Sequence, residues 1–178
     1  MLTVEQNEEL TRIGPGTPMG ELLRRYWYPI AFEQDFDTVP TKTVRLLSEN
    51  WTLFKTPKSG RYGIVAEACP HRSASLTYGV VHEDGIRCGY HGWKWDFDGT
   101  CVEQPAESDN QNFRDRVKQK AGKAEVMGGM VWVYVGPDPA PELPRFDVFV
   151  MDGVKDVGHA TLPCNWLQIM DCLLYTSP

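Results

Sequence analysis

Cys69-Pro70-His71 and Cys88-Gly89-Tyr90-His91 are the two stretches that decide how this chain is read. A C-x-H pair and a C-x-x-H pair each place one thiol and one imidazole on a short loop. Held tip to tip, the loops present two sulfurs on one side and two ring nitrogens on the other. That split suits a 2Fe-2S cluster with Cys thiolates on one iron and neutral His on the other, which carries less negative charge than a four-thiolate cluster and is easier to reduce. The imidazoles would face outward, where they can gain or lose a proton as electrons move. Two other readings use the same residues. A tetrahedral Zn ion accepts two Cys and two His, and packed thiols with satisfied core histidines need no metal.

Outside the two loops the texture is that of short strands. Runs at 43–47, 51–55, 62–66 and 130–135 are rich in β-branched and aromatic residues and bounded by turn residues, which predicts an antiparallel all-β unit. Asp98-Gly99, between Trp95-Asp96-Phe97 and Thr100-Cys101-Val102, predicts a hairpin whose tight turn needs positive φ. His82, beside Glu83-Asp84-Gly85, falls in the hairpin expected between the two loops, and His159 reads as a surface residue.

Before the strands, Thr3 and Gln6 form a capping box for a first helix that Gly14-Pro15-Gly16 ends. Thr17 and Pro18 open a second helix expected to reach Tyr26. Downstream, a polar loop is expected at 107–112 and a solvated edge strand at 114–123. The segment 136–144 holds five Pro or Gly and reads as the exit from the β unit.

A chain of 178 residues, 42% of them hydrophobic, suffices for one core with a modest extension. A net charge of -6 argues against nucleic-acid binding, which needs clustered cationic residues in excess. The N-terminal stretch carries Glu5, Glu8 and Glu9 and no long apolar run, so neither a leader nor a membrane anchor is expected, and the cytoplasm is the default location. Five cysteines at irregular spacing favour metal or redox chemistry over a disulfide framework, with Cys101, Cys164 and Cys172 read as ordinary thiols.

Arg72-Ser73-Ala74-Ser75-Leu76 and Gly92-Trp93 extend the loops to C-P-H-R-x-A-x-L and C-x-Y-H-G-W. Both patterns resemble those of Rieske iron-sulfur proteins. In the respiratory branch an extra Cys in each loop forms a disulfide, and a Ser after the second H-G donates to a cluster sulfur. Here Ala74, Tyr90 and Trp93 stand at those positions. The resemblance therefore implies the oxygenase or ferredoxin kind of cluster, with a lower potential.

Residues 7–20, 25–27 and 128–137 further resemble the oxygenase (alpha) subunits of the phthalate 4,5-dioxygenase-like Rieske non-haem iron oxygenases. That resemblance implies hydroxylation or demethylation of aromatic compounds. Electrons would come from an NADH-dependent flavin and iron-sulfur reductase, pass to the 2Fe-2S cluster, and cross to a mononuclear Fe(II) in a C-terminal catalytic domain. Members form homo-trimers. Asn165-Trp166-Leu167-Gln168 resembles the opening of the catalytic helix, and Asp171 an acidic position before the bridging one. The iron needs two His and a carboxylate. With His71 and His91 committed to the cluster only His82 and His159 remain, so no ligands for that iron are expected here.

The expectation is a mainly β chain: a helical arm over 1–28, a Rieske domain over 29–137, and a linker with the truncated start of a catalytic domain over 138–178. Residues 172–178 depart from the family pattern and read as non-native. Cys69, His71, Cys88 and His91 are the expected cluster ligands, and the chain is expected to be the electron-entry portion of an oxygenase without oxygenase activity alone. A stand-alone Rieske-type ferredoxin is the alternative.

Overall fold

The computed structural model describes residues 2–105, 107 and 111–176. In chain order the strands are β1 (Tyr28–Phe32), β2 (Thr41–Leu46), β3 (Glu49–Lys55), β4 (Tyr62–Ala66), β5 (Val80–His82), β6 (Gly85–Arg87), β7 (Lys94–Trp95), β8 (Cys101–Glu103), β9 (Ala121–Met127) and β10 (Met130–Tyr134). They make two antiparallel sheets. One runs β1-β10-β9-β4-β3-β2 and the other β5-β6-β7-β8.

β3 shows why the sheets stack. Side chains alternate across a strand, and Trp51 and Leu53 join a core with Ile64, Val131 and Val133. Phe54, next along and on the opposite face, points into a second core with Val65, Leu76, Ile86, Trp93 and Trp95. The second core lies against the small sheet, and Cys69 and Cys88 are part of it.

The helical arm forms as the capping signals require. Helix α1 (Val4–Thr11) starts at Thr3, whose Oγ1 accepts the Gln6 N–H at 3.2 Å while Gln6 Oε1 accepts the Thr3 N–H at 3.0 Å. Helix α2 (Pro18–Leu23) starts at Thr17, whose Oγ1 accepts the Gly20 N–H at 3.1 Å. It stops short of the expected Tyr26. The N–H groups of Arg25 and Tyr26 bond only three residues back, to Leu22 and Leu23, and the chain then extends into β1.

The stretch expected as an edge strand is corrected. β9 lies inside the large sheet, between β10 and β4. The cationic run misled the reading because most of it precedes the strand, and the one lysine within β9, Lys123, is partly exposed, its Nζ meeting the Asp98 carboxylate at 2.6 Å. Segment 136–144 has no regular structure, as its Pro and Gly content demands, but it is no loose exit. Leu143 is buried with Met127, Met130 and Trp132, and the Trp27 indole N–H donates to the Pro141 carbonyl at 2.8 Å.

Three further helices are α3 (Gln111–Arg114), α4 (Asp147–Val150) and the longer α5 (Trp166–Thr176). Asn165 Oδ1 accepts the Leu167 N–H at 3.0 Å and so caps α5, the helix expected to open there. Positions 108–110 of the expected polar loop, and 177 and 178 of the stretch read as non-native, lie outside the described residues. Among the described residues no helix is long and apolar enough to cross a membrane.

Candidate metal centre

The two Cys-His loops are built alike. In the first, the Cys69 N–H donates to the Ala74 carbonyl at 2.9 Å and the Ser73 N–H returns to the Cys69 carbonyl at 2.8 Å. In the second, the Cys88 N–H donates to the Trp93 carbonyl at 2.8 Å and the Gly92 N–H to the Cys88 carbonyl at 3.0 Å. The fourth residue after each Cys has positive φ, 56° at Ser73 and 74° at Gly92. Glycine takes that conformation freely. Ser73 holds it without that advantage, so nothing in the sequence marked it.

Each loop is braced from behind. Gln119 is buried, and its Nε2 donates to the carbonyls of Ala66 and Ala68 at 2.8 and 2.9 Å, clamping the approach to Cys69. Arg87 Nη1 donates to the Gly92 carbonyl at 3.0 Å, and its guanidinium also pairs with Glu103. Glu103 in turn meets buried Lys94 at 3.0 Å, and Lys94 meets Asp84 at 2.7 Å. Neither Gln119 nor Arg87 was singled out from sequence, because a lone polar residue outside the ligand pairs carries no motif.

The structure places the four expected residues as two pairs, and among the described residues no three His, Cys, Asp or Glu side chains close on one point as ligands of a single metal ion. Cys69 and Cys88 are buried side by side in the second core. The His71 and His91 rings lie nearer the surface with centroids 4.6 Å apart. His71 also stacks on Trp93, and the Tyr90 ring lies 3.7 Å from His91. Burial pushes the Cys69 thiol up, and the adjacent Cys88 adds to this, while the His71 backbone N–H and the Trp95 indole N–H pull the other way. Desolvation, with the charges of His71 and Arg72, pushes His91 below its ordinary value and favours the neutral ring that ligates metals.

One observation tests whether a cluster fits. His71 Nδ1 is enclosed and has no hydrogen-bond partner. A buried ring nitrogen left without a partner is costly unless something else binds it, and the Trp93 ring on which His71 stacks belongs to the core that holds the Cys pair. Two soft thiolates with two neutral imidazoles is the mixed donor set of a Rieske centre.

The other histidines stand apart. His82 ends β5 at its hairpin with β6, where the sequence placed it. His159 is exposed and rests against the Phe32 ring at 5.9 Å. Cys101 is buried beside the site, and burial pushes its thiol up to about 11.

Comparison with known proteins gives the same picture. The profile of the Rieske 2Fe-2S domain matches residues 26–120. The 5,5'-dehydrodivanillate O-demethylase oxygenase subunit of Sphingobium sp. is 50% identical over 173 residues, covering 94% of this chain and 40% of that protein. The phthalate 4,5-dioxygenase oxygenase subunit of Pseudomonas putida is 39% identical over 176 residues, covering 96% of this chain and 40% of that protein. The chain thus spans well under half the length of these curated relatives. Among solved structures, the reduced complex between oxygenase and ferredoxin in carbazole 1,9a-dioxygenase superposes with a TM-score of 0.54 at 25% identity, covering 67% of this chain and 31% of that one.

Proposed function

Because the chain belongs to the Rieske 2Fe-2S family, we propose that Cys69 and Cys88 hold one iron of the cluster and His71 and His91 the other, and that the chain carries single electrons for an oxygenase. The cluster, when bound, supplies a one-electron couple. The observation that carries this reading is the enclosed, unpaired His71 Nδ1 in a site that offers one Cys pair and one His pair. The protein's part is to keep two thiols buried, to favour the neutral form of His91, and to leave the outer edges of both imidazoles near solvent for electron exchange.

The oxygenase reading is preferred to a stand-alone ferredoxin because the likeness to the demethylase oxygenase subunit extends over 94% of the chain. The arm and the stretch leading into α5 are therefore included. By this reading residues 29–137 are the cluster-bearing domain, 1–28 an arm fastened to it, and 138–178 the passage toward a catalytic domain holding the mononuclear iron. The substrate class is aromatic, as in the demethylase and dioxygenase relatives. The electron donor is an iron-sulfur redox protein fed from NADH through a flavin. Oxygenase–ferredoxin complexes among similar structures support a donor of that kind. Assembly as a homo-trimer and a cytoplasmic location complete the proposal. With Trp93 where the respiratory branch has a hydroxyl donor, the cluster belongs to the lower-potential kind.

Electron paramagnetic resonance of the dithionite-reduced protein tests the ligand assignment. The expected spectrum is Rieske-like, with a low average g value, and it is lost or converted in His71→Cys and His91→Cys. A colourless protein holding one Zn per chain would overturn it.

A further inference from the structure

We propose that Thr77 is a positioning residue for the metal centre, its hydroxyl fastening the turn that spaces the two ligand loops. The inference rests on the ligand assignment above and concerns a residue outside both ligand pairs. Leu76–Tyr78 form a single 3-10 turn directly after the first loop, in which the Cys69 N–H reaches the Ala74 carbonyl. Leu76 is fully buried in the core that holds both cysteines, and its N–H donates to the Glu67 carbonyl at 2.8 Å. The far end of the turn lies against the second loop. A Cβ on Gly89, next to Cys88, would meet the Tyr78 carbonyl oxygen at 3.1 Å, and one on Gly79 would meet the Arg87 carbonyl oxygen at 2.6 Å. The turn and the backbone on either side of Cys88 thus approach more closely than most side chains permit.

Thr77 joins that spacer to the large sheet. Its Oγ1 lies 2.7 Å from Thr43 Oγ1 on β2 and 2.9 Å from Thr52 Oγ1 on β3, and its carbonyl accepts the Thr41 hydroxyl at 2.7 Å. Thr52 is fully buried, on the face of β3 that turns Phe54 into the second core. A buried hydroxyl is costly unless it is hydrogen-bonded, and the Thr77 hydroxyl supplies that bond. So short a 3-10 turn is held weakly by its own bonds, and its place is set by these contacts with two strands. A shift of the turn would move the Cys69 side of the centre relative to the Cys88 side. Ligands drawn from two loops hold a cluster only while the loops keep their spacing.

The experiment follows iron release from the cluster-loaded chain to a strong chelator, with urea unfolding and electron paramagnetic resonance of the reduced protein alongside. It compares the native sequence with Thr77→Ser, Thr77→Val and Thr56→Val. Thr56 is the control: it too is buried, with its Oγ1 2.7 Å from Ser59 Oγ and 3.2 Å from the Arg61 carbonyl, but it sits in the turn after β3, outside both ligand loops. Thr77→Val is expected to speed iron release about tenfold, the factor that a lost buried hydrogen bond is worth, and to broaden the g values. Thr77→Ser keeps the hydroxyl and is expected to match the native chain. Thr56→Val is expected to lower stability comparably while leaving iron release and g values unchanged. Iron release and g values that respond alike in Thr77→Val and Thr56→Val would make Thr77 an ordinary stabilising contact and overturn the proposal. Should Thr77→Val fail to hold a cluster, Thr43→Val decides the matter, since Thr43 is exposed and its hydroxyl makes only the outer of the two bonds. Release about threefold faster supports the proposal, and unchanged release overturns it. No Rieske signal in the native chain would instead defeat the ligand assignment itself.

Discussion

The imidazole of His71 lies flat on the indole of Trp93, with centroids 4.3 Å apart and planes 2° from parallel. The stack fixes the ring's plane, so that Nδ1 stays turned inward. An aromatic replacement keeps that surface and an aliphatic one removes it. Trp93→Phe is expected to retain the cluster with slight line broadening. Trp93→Ala removes a buried indole at a cost of about 3–5 kcal/mol and frees His71 to rotate. Iron content per chain and the reduced spectrum check this, and equal iron in both variants would show that the stack does not position the ligand.

The clamp on the first loop gives a second expectation. Gln119 is 5% exposed and its amide satisfies the carbonyls of Ala66 and Ala68, while its Oε1 accepts the Lys120 N–H at 2.8 Å. Gln119→Glu keeps the shape but replaces a double donor with an acceptor beside two carbonyls. It should cost more than Gln119→Ala, which forfeits the bonds for about 2–3 kcal/mol. Urea unfolding of both variants, with iron release monitored in parallel, tests the order.

The residues that carry chemistry were legible, and those that hold them in place were not. Cys69, His71, Cys88 and His91 announce themselves by type and spacing, and Asp98-Gly99 by the positive φ its turn requires, 76° at Gly99. Arg24 did not. Nothing local says that a guanidinium in an amphipathic arm will be 5% exposed and bonded to the carbonyls of Gly20 and Leu47, since charged residues are seldom buried. β9 was misjudged because most of the cationic run precedes it, and its one lysine reports a partly exposed position and not a place in the sheet. Pairing order is set by contacts across long stretches of chain that a local pattern does not encode.

Acid should loosen the arm. Arg24 Nη2 meets Glu49 at 2.8 Å, and Lys120 Nζ meets the other carboxylate oxygen at 2.5 Å. Partial burial alone would raise Glu49, but the hydrogen bonds from Arg24 and Lys120 outweigh it and hold the carboxyl below its usual range. A group whose folded value is depressed contributes its full stability above the unfolded value, about 4.3, and loses it as pH falls through the folded one. Protection of residues 1–24 from proteolysis is therefore expected to hold at neutral pH and to fall as pH drops below about 4. Glu49→Gln should flatten that dependence, and an unchanged acid profile in this variant would refute the assignment. Arg24→Ala, which also strands the Leu47 carbonyl, should cost about 3 kcal/mol at neutral pH.

The hairpin from β2 to β3 turns through Leu47 and Ser48 with φ of 48° and 66°, a conformation that side chains with a Cβ resist. Two-residue turns of this kind favour Asn-Gly. Leu47 has a reason to stay: it is buried in the first core, and its carbonyl accepts from Arg24 at 3.2 Å. Ser48 is exposed, and its side chain makes no hydrogen bond among the described residues. Ser48→Gly should therefore raise stability by about 0.5–1 kcal/mol, the relief of strain exceeding the added freedom of the unfolded chain. Leu47→Gly relieves the same strain but forfeits a buried leucine and should lower stability by about 1–2 kcal/mol. Urea midpoints with unchanged slopes are the measurement. A Ser48→Gly variant less stable than the native chain would show that the turn is not strained at that residue.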